Sequence, residues 1–286
     1  MAILLGLISA ALFGCLTVVM SVALGRSDSP GLGALVMNGA AFLVAIVAAL
    51  PAAGSWGSVD VGAVGWLALA GALAPGLAGV VYTRAVRAAG ASRTVVVFGM
   101  APLVAVLIAI VALDEPVEAG LVAGTVLVVL GGLAVAFERT RPETFRWIGI
   151  VMAAGCMTLF ATRDNVTRWK LGGSDLPPTL AAAVSLGAGT LVALAATQHR
   201  DPRLLFRRGT LVFVPAGVLF GVSYVTLFEA YAHGRVSVVS PIVATETLFG
   251  VVLSALFLRR TELVGPKLLA GAALVVAGSA LIGVFR

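Results

Sequence analysis

The sequence predicts an all-α integral membrane protein: ten transmembrane helices arranged as two inverted five-helix repeats around a central cavity. Composition is the first reason. Of 286 residues, 60% are hydrophobic and 11% charged, and the mean hydropathy is +1.10, whereas soluble domains carry about 25% charged residues. The second is that the apolar runs are continuous rather than alternating at period two, which favours helices over a barrel in lipid. The third is an internal repeat at an offset of 145 residues.

A bilayer-crossing helix needs about 20 apolar residues. Runs of this kind place spans near 2–24, 30–52, 61–84, 93–113, 117–137, 146–168, 177–197, 210–232, 236–258 and 264–285. In span 1, Leu12-Phe13-Gly14-Cys15 looks like a lipoprotein cleavage box, but residues 1–11 hold no Lys or Arg. A signal peptide needs a positive start, so the span is expected to be retained. Phe13, Thr17 and Ser21 follow at four-residue intervals on one face, and Asn38 and Tyr82 add polar groups to spans 2 and 3. Such groups either bond their own backbone and bridge helices or face a solute path. Gly71, Gly76 and Gly79 surround Pro75 in span 3, permitting close helix approach and bending.

Span 6 is interrupted by Arg163-Asp164-Asn165. Either the span ends early and the triplet sits in the outer interface, or Arg163 reaches inward with its forked donors toward a carboxylate. Span 8 carries Phe213, Phe220, Tyr224, Phe228 and Tyr231 along one face, where span 3 has Ala68, Pro75, Gly79, Thr83 and Val86. Ordinary packing, with Tyr231 in an interfacial belt, is one reading; an aromatic wall for apolar side chains or cations is the other. Glu229 is expected near the outer end of that span. In span 9, Glu246 is the only charge between Val236 and Leu258. A charge at the centre of a membrane helix costs several kcal/mol or more and usually marks a solute or proton path. Loss of water disfavours the charged form of a carboxyl group, so Glu246 is also the candidate to carry a coupling proton.

Ala85-Val-Arg-Ala-Ala-Gly-Ala-Ser92 and the helix ending at Leu113 match Ala230-Tyr-Ala-His-Gly-Arg-Val-Ser237 and the helix ending at Leu258. Two extra residues then align Gly124 with Gly271 and Gly131 with Gly278. Residues 1–140 and 141–286 therefore form two five-span units. Five is odd, so the second unit enters the membrane upside down, an architecture common among secondary transporters. Loop charges agree: 14 of the 19 basic residues fall on one side, in the groups at 26, 84–93, 139–146, 200–208 and 259–267. By the positive-inside rule that side is cytoplasmic, which puts both termini outside.

The whole chain resembles the drug/metabolite transporter superfamily, in its ten-span form with two EamA-type repeats. The matching pieces are Ala85 to Ser92, the Pro102 helix ending Leu113-Asp-Glu-Pro116, the Gly124/Gly131 helix, Ala230 to Ser237 and the Glu246 helix. Two departures stand out. Thr247 follows Glu246 where the family commonly has Pro, which predicts a straighter ninth helix, and Leu258-Arg259-Arg260 replaces a Leu-Gly-Glu ending. The resemblance implies alternating-access transport of small organic solutes, often export of amino acids, through a cavity lined by spans 1, 3, 4, 6, 8 and 9. It also implies a monomer, because the duplication supplies the pseudo-symmetry within one chain.

The candidate substrate-binding residues are Glu246, Tyr82, Tyr224, Phe228, Thr17, Arg163 and Asn38. The net charge of +6 belongs to loops at a membrane surface rather than to a nucleic-acid site. Cys15 and Cys156 lie inside spans without CxxC spacing, and His199 and His233 share no ligand spacing, so no cofactor or metal is expected. HExxH, GxSxG and Walker patterns are absent, which argues against an enzyme. A passive channel is the remaining alternative class. Sugars or phosphorylated metabolites are alternative cargo, although phosphate would call for a more basic cavity. With 17 Arg against two Lys, the expected location is the cytoplasmic membrane of a high-GC bacterium.

Overall fold

A computed structural model describes residues 1–27, 29–101, 103–104, 119–136, 145–197, 205, 207–234, 239, 242–258 and 265–284. Pro102, Leu113 to Pro116, His199, Arg235 to Ser237 and Arg259-Arg260 lie outside the described residues. The described residues are built from helices: α1 (Ala2–Leu24), α2 (Pro30–Ala49), α3 (Val61–Gly71), α4 (Ala78–Ala89), α5 (Ala91–Phe98) and α6 (Ala119–Ala136) come first. They are followed by α7 (Trp147–Leu171), α8 (Pro178–Thr197), α9 (Val214–His233), α10 (Glu246–Phe257) and α11 (Pro266–Val284). Five helical stretches are long and apolar enough to cross a membrane: Ala2–Leu24, Gly31–Gly54, Val61–Ala89, Pro178–Thr197 and Arg208–His233. Shorter apolar helices accompany them at Val122–Gly132, Glu246–Phe257 and Pro266–Ile282.

Burial is arranged as lipid demands. Large apolar side chains such as Leu43, Val47, Val151, Leu191 and Phe257 point outward, while the interior is rich in Ala and holds Ser9, Asn38, Thr83, Ser185 and Arg163. Lipid tails are as apolar as Leu, so helix association here rests on close packing and interhelical hydrogen bonds. Small residues supply the packing: a Cβ on Gly131 would lie 2.7 Å from the Gly271 carbonyl oxygen, and one on Gly124 would lie 2.8 Å from that of Gly278. The hydrogen bonds include Ser9 Oγ to the Ser223 carbonyl (2.9 Å) and Ser279 Oγ to the Gly99 carbonyl (3.2 Å).

Helix contacts come in pairs whose members stand about one repeat apart. α1 packs on α9 as α7 packs on α4, and α1 packs on α10 as α7 packs on α5. Three contacts, α2 with α8, α5 with α10 and α6 with α11, join equivalent helices directly. Gly90, at φ 90°, makes the turn between α4 and α5, a left-handed conformation that Gly adopts without strain. Along α7, the half-exposed Trp147 and Trp169 lie 22 residues apart, or about 33 Å at 1.5 Å per residue. That spacing suits two aromatic belts. At the Trp169 end, the Lys170 ammonium sits 3.6 Å from the Trp169 ring centroid, and Trp66 meets Trp169 edge-on.

Candidate solute-binding site

Backbone irregularity surrounds the centre of the molecule. α3 leads into a π-type turn, Ala72–Leu77, where Ala74 (φ −143°, ψ 114°) departs from helical geometry ahead of Pro75. Proline supplies no N–H and crowds the preceding turn, so a carbonyl is freed there. Tyr224 Oη donates to the Ala74 carbonyl at 3.3 Å. Two further breaks occupy repeat-equivalent positions. The Met100 and Leu103 amides bond carbonyls three residues back, to Val97 and Met100 (3.1 and 2.9 Å), and the Thr245 and Leu248 amides do the same to Ile242 and Thr245 (3.1 and 3.0 Å). Ala101 follows the first tightened turn, and Glu246 follows the second as the first residue of α10. The ninth helix is therefore not straightened by the missing Pro. Thr245 Oγ1 donates to the Ile242 carbonyl at 2.6 Å, offering a hydrogen bond that stands in for the lost helical one.

The two repeat-equivalent breaks border a cavity of about 90 Å³. Its wall draws Phe13 and Thr17 from α1, Gly79 and Tyr82 from α4, Phe98 from α5, Phe160, Arg163 and Asp164 from α7, Phe220 and Tyr231 from α9, and Glu246 from α10. Ala101, the repeat counterpart of Glu246, also lines it, and among the described side chains none from α6 or α11 does. Glu246 has no hydrogen-bond or ion-pair partner among the described residues.

Arg163 does not lie in an outer interface. α7 continues to Leu171, and the Arg163 side chain is 3% exposed. Its guanidinium carbon sits 4.5 Å from the Tyr224 ring centroid, 5.2 Å from that of Phe160 and 5.8 Å from that of Phe228. Nη1 is 3.2 Å from Asp164 Oδ1, yet Nε and Nη1 find no hydrogen-bond acceptor. Asn165, the third of the triplet, turns back to bond the Ala161 carbonyl at 2.9 Å.

Four of the seven sequence candidates thus meet on one wall: Glu246, Arg163, Tyr82 and Thr17. Thr17 donates to the Phe13 carbonyl (3.1 Å) and so accepts from the Tyr82 hydroxyl (3.2 Å). Tyr224 and Phe228 are fully buried behind the wall, stacked on each other and supporting Arg163. Asn38 is also set back: its side chain is buried against Gly79, and neither its oxygen nor its nitrogen has a partner. Two polar cavity residues, Asp164 and Tyr231, were named in the sequence but not taken as binding residues. Asp164 sits beside an opposite charge and reads as a self-satisfied pair, while Tyr231, near a span end, reads as a belt residue. Tyr231 is instead 1% exposed and shares the cavity wall with Asp164. Glu229, by contrast, is partly exposed and pairs with His233 at 3.7 Å, as expected of an interfacial residue.

The description EamA-like transporter family matches residues 1–137 and again residues 147–284. The chain belongs to the EamA-like transporter family. It is accordingly a multi-pass membrane transporter of the drug/metabolite type, acting on a small-molecule substrate. A solved structure described only as a crystal structure of a protein has a similar EamA-like fold, with a TM-score of 0.67 at 19% identity over 99% of this chain and 96% of that one. No curated protein matches the sequence.

Proposed function

We propose that this EamA-like protein is a secondary carrier that exports small amphipathic metabolites, amino acids foremost, across a bacterial inner membrane by alternating access. One observation carries the reading: a cavity walled by rings holds Glu246, which has no donor among the described residues, and Arg163, whose Nε and Nη1 have no acceptor there. A zwitterion answers both. Its ammonium would meet Glu246, its carboxylate would meet Arg163, and its apolar side chain would lie on Phe13, Tyr82 and Phe98. Charge-assisted bonds of this kind are among the stronger ones a dry site offers. Sugar phosphates fit less well, because among the described residues the wall has a single guanidinium.

The two five-helix units, inverted in the membrane, supply the motion. Discontinuous helices at a repeat interface are the usual place for a solute site, and rocking one unit against the other exposes it alternately. The turns before Ala101 and Glu246, with the Ala74 kink, are the points that would absorb such a movement. Purified protein in proteoliposomes preloaded with unlabelled amino acids should take up labelled external amino acid by exchange. A carrier gives trans-stimulation. Uptake indifferent to the internal load would indicate a pore, and no uptake of any amino acid would reject the substrate class.

A further inference from the structure

A simple zwitterion leaves one charge in the cavity unmet. Two carboxylates, Glu246 on α10 and Asp164 on α7, share the wall with one guanidinium, Arg163. Arg163 and Asp164 are consecutive on one helix, so their side chains leave it about 100° apart and cannot meet face to face. The contact reflects this: although the charged atoms approach to 3.2 Å, Asp164 Oδ1 and Arg163 Nη1 each lack a hydrogen-bond partner. Tyr231 of α9 lines the same wall, and Arg168 Nη1 donates to its backbone carbonyl at 3.0 Å. The carboxylate thus stands in the wall with Oδ1 buried and without a donor. A surplus charge away from water is costly unless paired. The three groups are complementary to two cationic groups and one carboxylate.

We propose that Asp164 forms a second cation subsite and that the preferred solute is a dibasic amino acid of net charge +1, an inference that rests on the amino-acid reading above. Arg163 takes the carboxylate, and Glu246 and Asp164 take one cationic group each. The rings of Phe13, Tyr82, Phe98 and Phe160 cover the methylene stem and offer their faces to a cation. A neutral amino acid leaves the cavity with one excess negative charge. A proton could cancel that charge instead, but the cavity would then ignore the charge of the solute's side chain.

The test compares labelled lysine with labelled norleucine, which has the same four-carbon stem without the ammonium, in exchange assays on the full chain in proteoliposomes. The wild type is expected to favour lysine by at least about tenfold at limiting concentration, the worth of one charge-assisted contact. Asp164→Asn should bring the ratio near one while norleucine exchange persists. Tyr231→Phe keeps the ring, removes the hydroxyl that shares the wall with Asp164, and should lower the ratio in the same direction but by less. Norleucine carried as well as lysine by the wild type overturns the inference alone, as does a ratio that neither variant changes. If neither amino acid is carried, the underlying reading falls with it.

Discussion

Arg163 and Tyr82 face the same cavity under different constraints. The guanidinium is caged by Phe160, Tyr224 and Phe228 and keeps donors without acceptors, so it is held in place yet unsatisfied. Replacement by Gln preserves a donor and removes the charge and the fork. On the proposed role, Arg163→Gln weakens amino-acid binding by about ten- to a hundredfold, read as a rise in the half-saturating concentration for exchange. An unchanged value would assign Arg163 to packing alone. Tyr82→Phe removes only the hydroxyl bond to Thr17 and is expected to cost about 1 kcal/mol of stability, measured as a small drop in thermal melting. Glu246 was legible in the sequence because nothing else in its run is charged. Asp164 was not, because an adjacent opposite charge hides a carboxylate whose partner cannot align with it.

At the scale of elements, glycine positions decide the packing. Gly131 aligns with Gly278 in the repeat but packs on Gly271, while Gly124 aligns with Gly271 and packs on Gly278. This crossed pattern is what two antiparallel, symmetry-related helices produce. Gly131→Val would put its Cβ only 2.7 Å from the Gly271 carbonyl oxygen and is expected to destabilise by about 1–3 kcal/mol. Thermal melting in detergent should fall clearly, whereas the lipid-facing Val126→Ala should leave it nearly unchanged. Helix existence was readable from hydropathy, and α1, α2 and α8 begin and end close to their predicted bounds. The breaks were harder to read. Pro75 announced one kink, but the turn before Glu246 is made by Thr245 bonding the Ile242 carbonyl, a backbone event that a missing Pro appears to forbid only if Pro is taken as the sole cause.

For the whole molecule, the paired contacts between α1 and α9, and between α7 and α4, accompany a family match that falls once on each half. The proposed inversion of one half relative to the other predicts a topology. With arginines crowding one side, a reporter fused after Arg286 should be active outside the cytoplasm; activity inside would reverse the assigned orientation. The halves are not chemically equal. Ala101 and Glu246 occupy equivalent places on the cavity wall, so duplication has left the carboxylate on one side only, and the proposed solute recognition rests on that difference. The most direct measurement is therefore amino-acid exchange by Glu246→Gln in proteoliposomes, with folding checked by melting. Loss of at least about tenfold in exchange, with melting near that of the wild type, is the predicted result; wild-type rate and affinity in the variant would contradict the account.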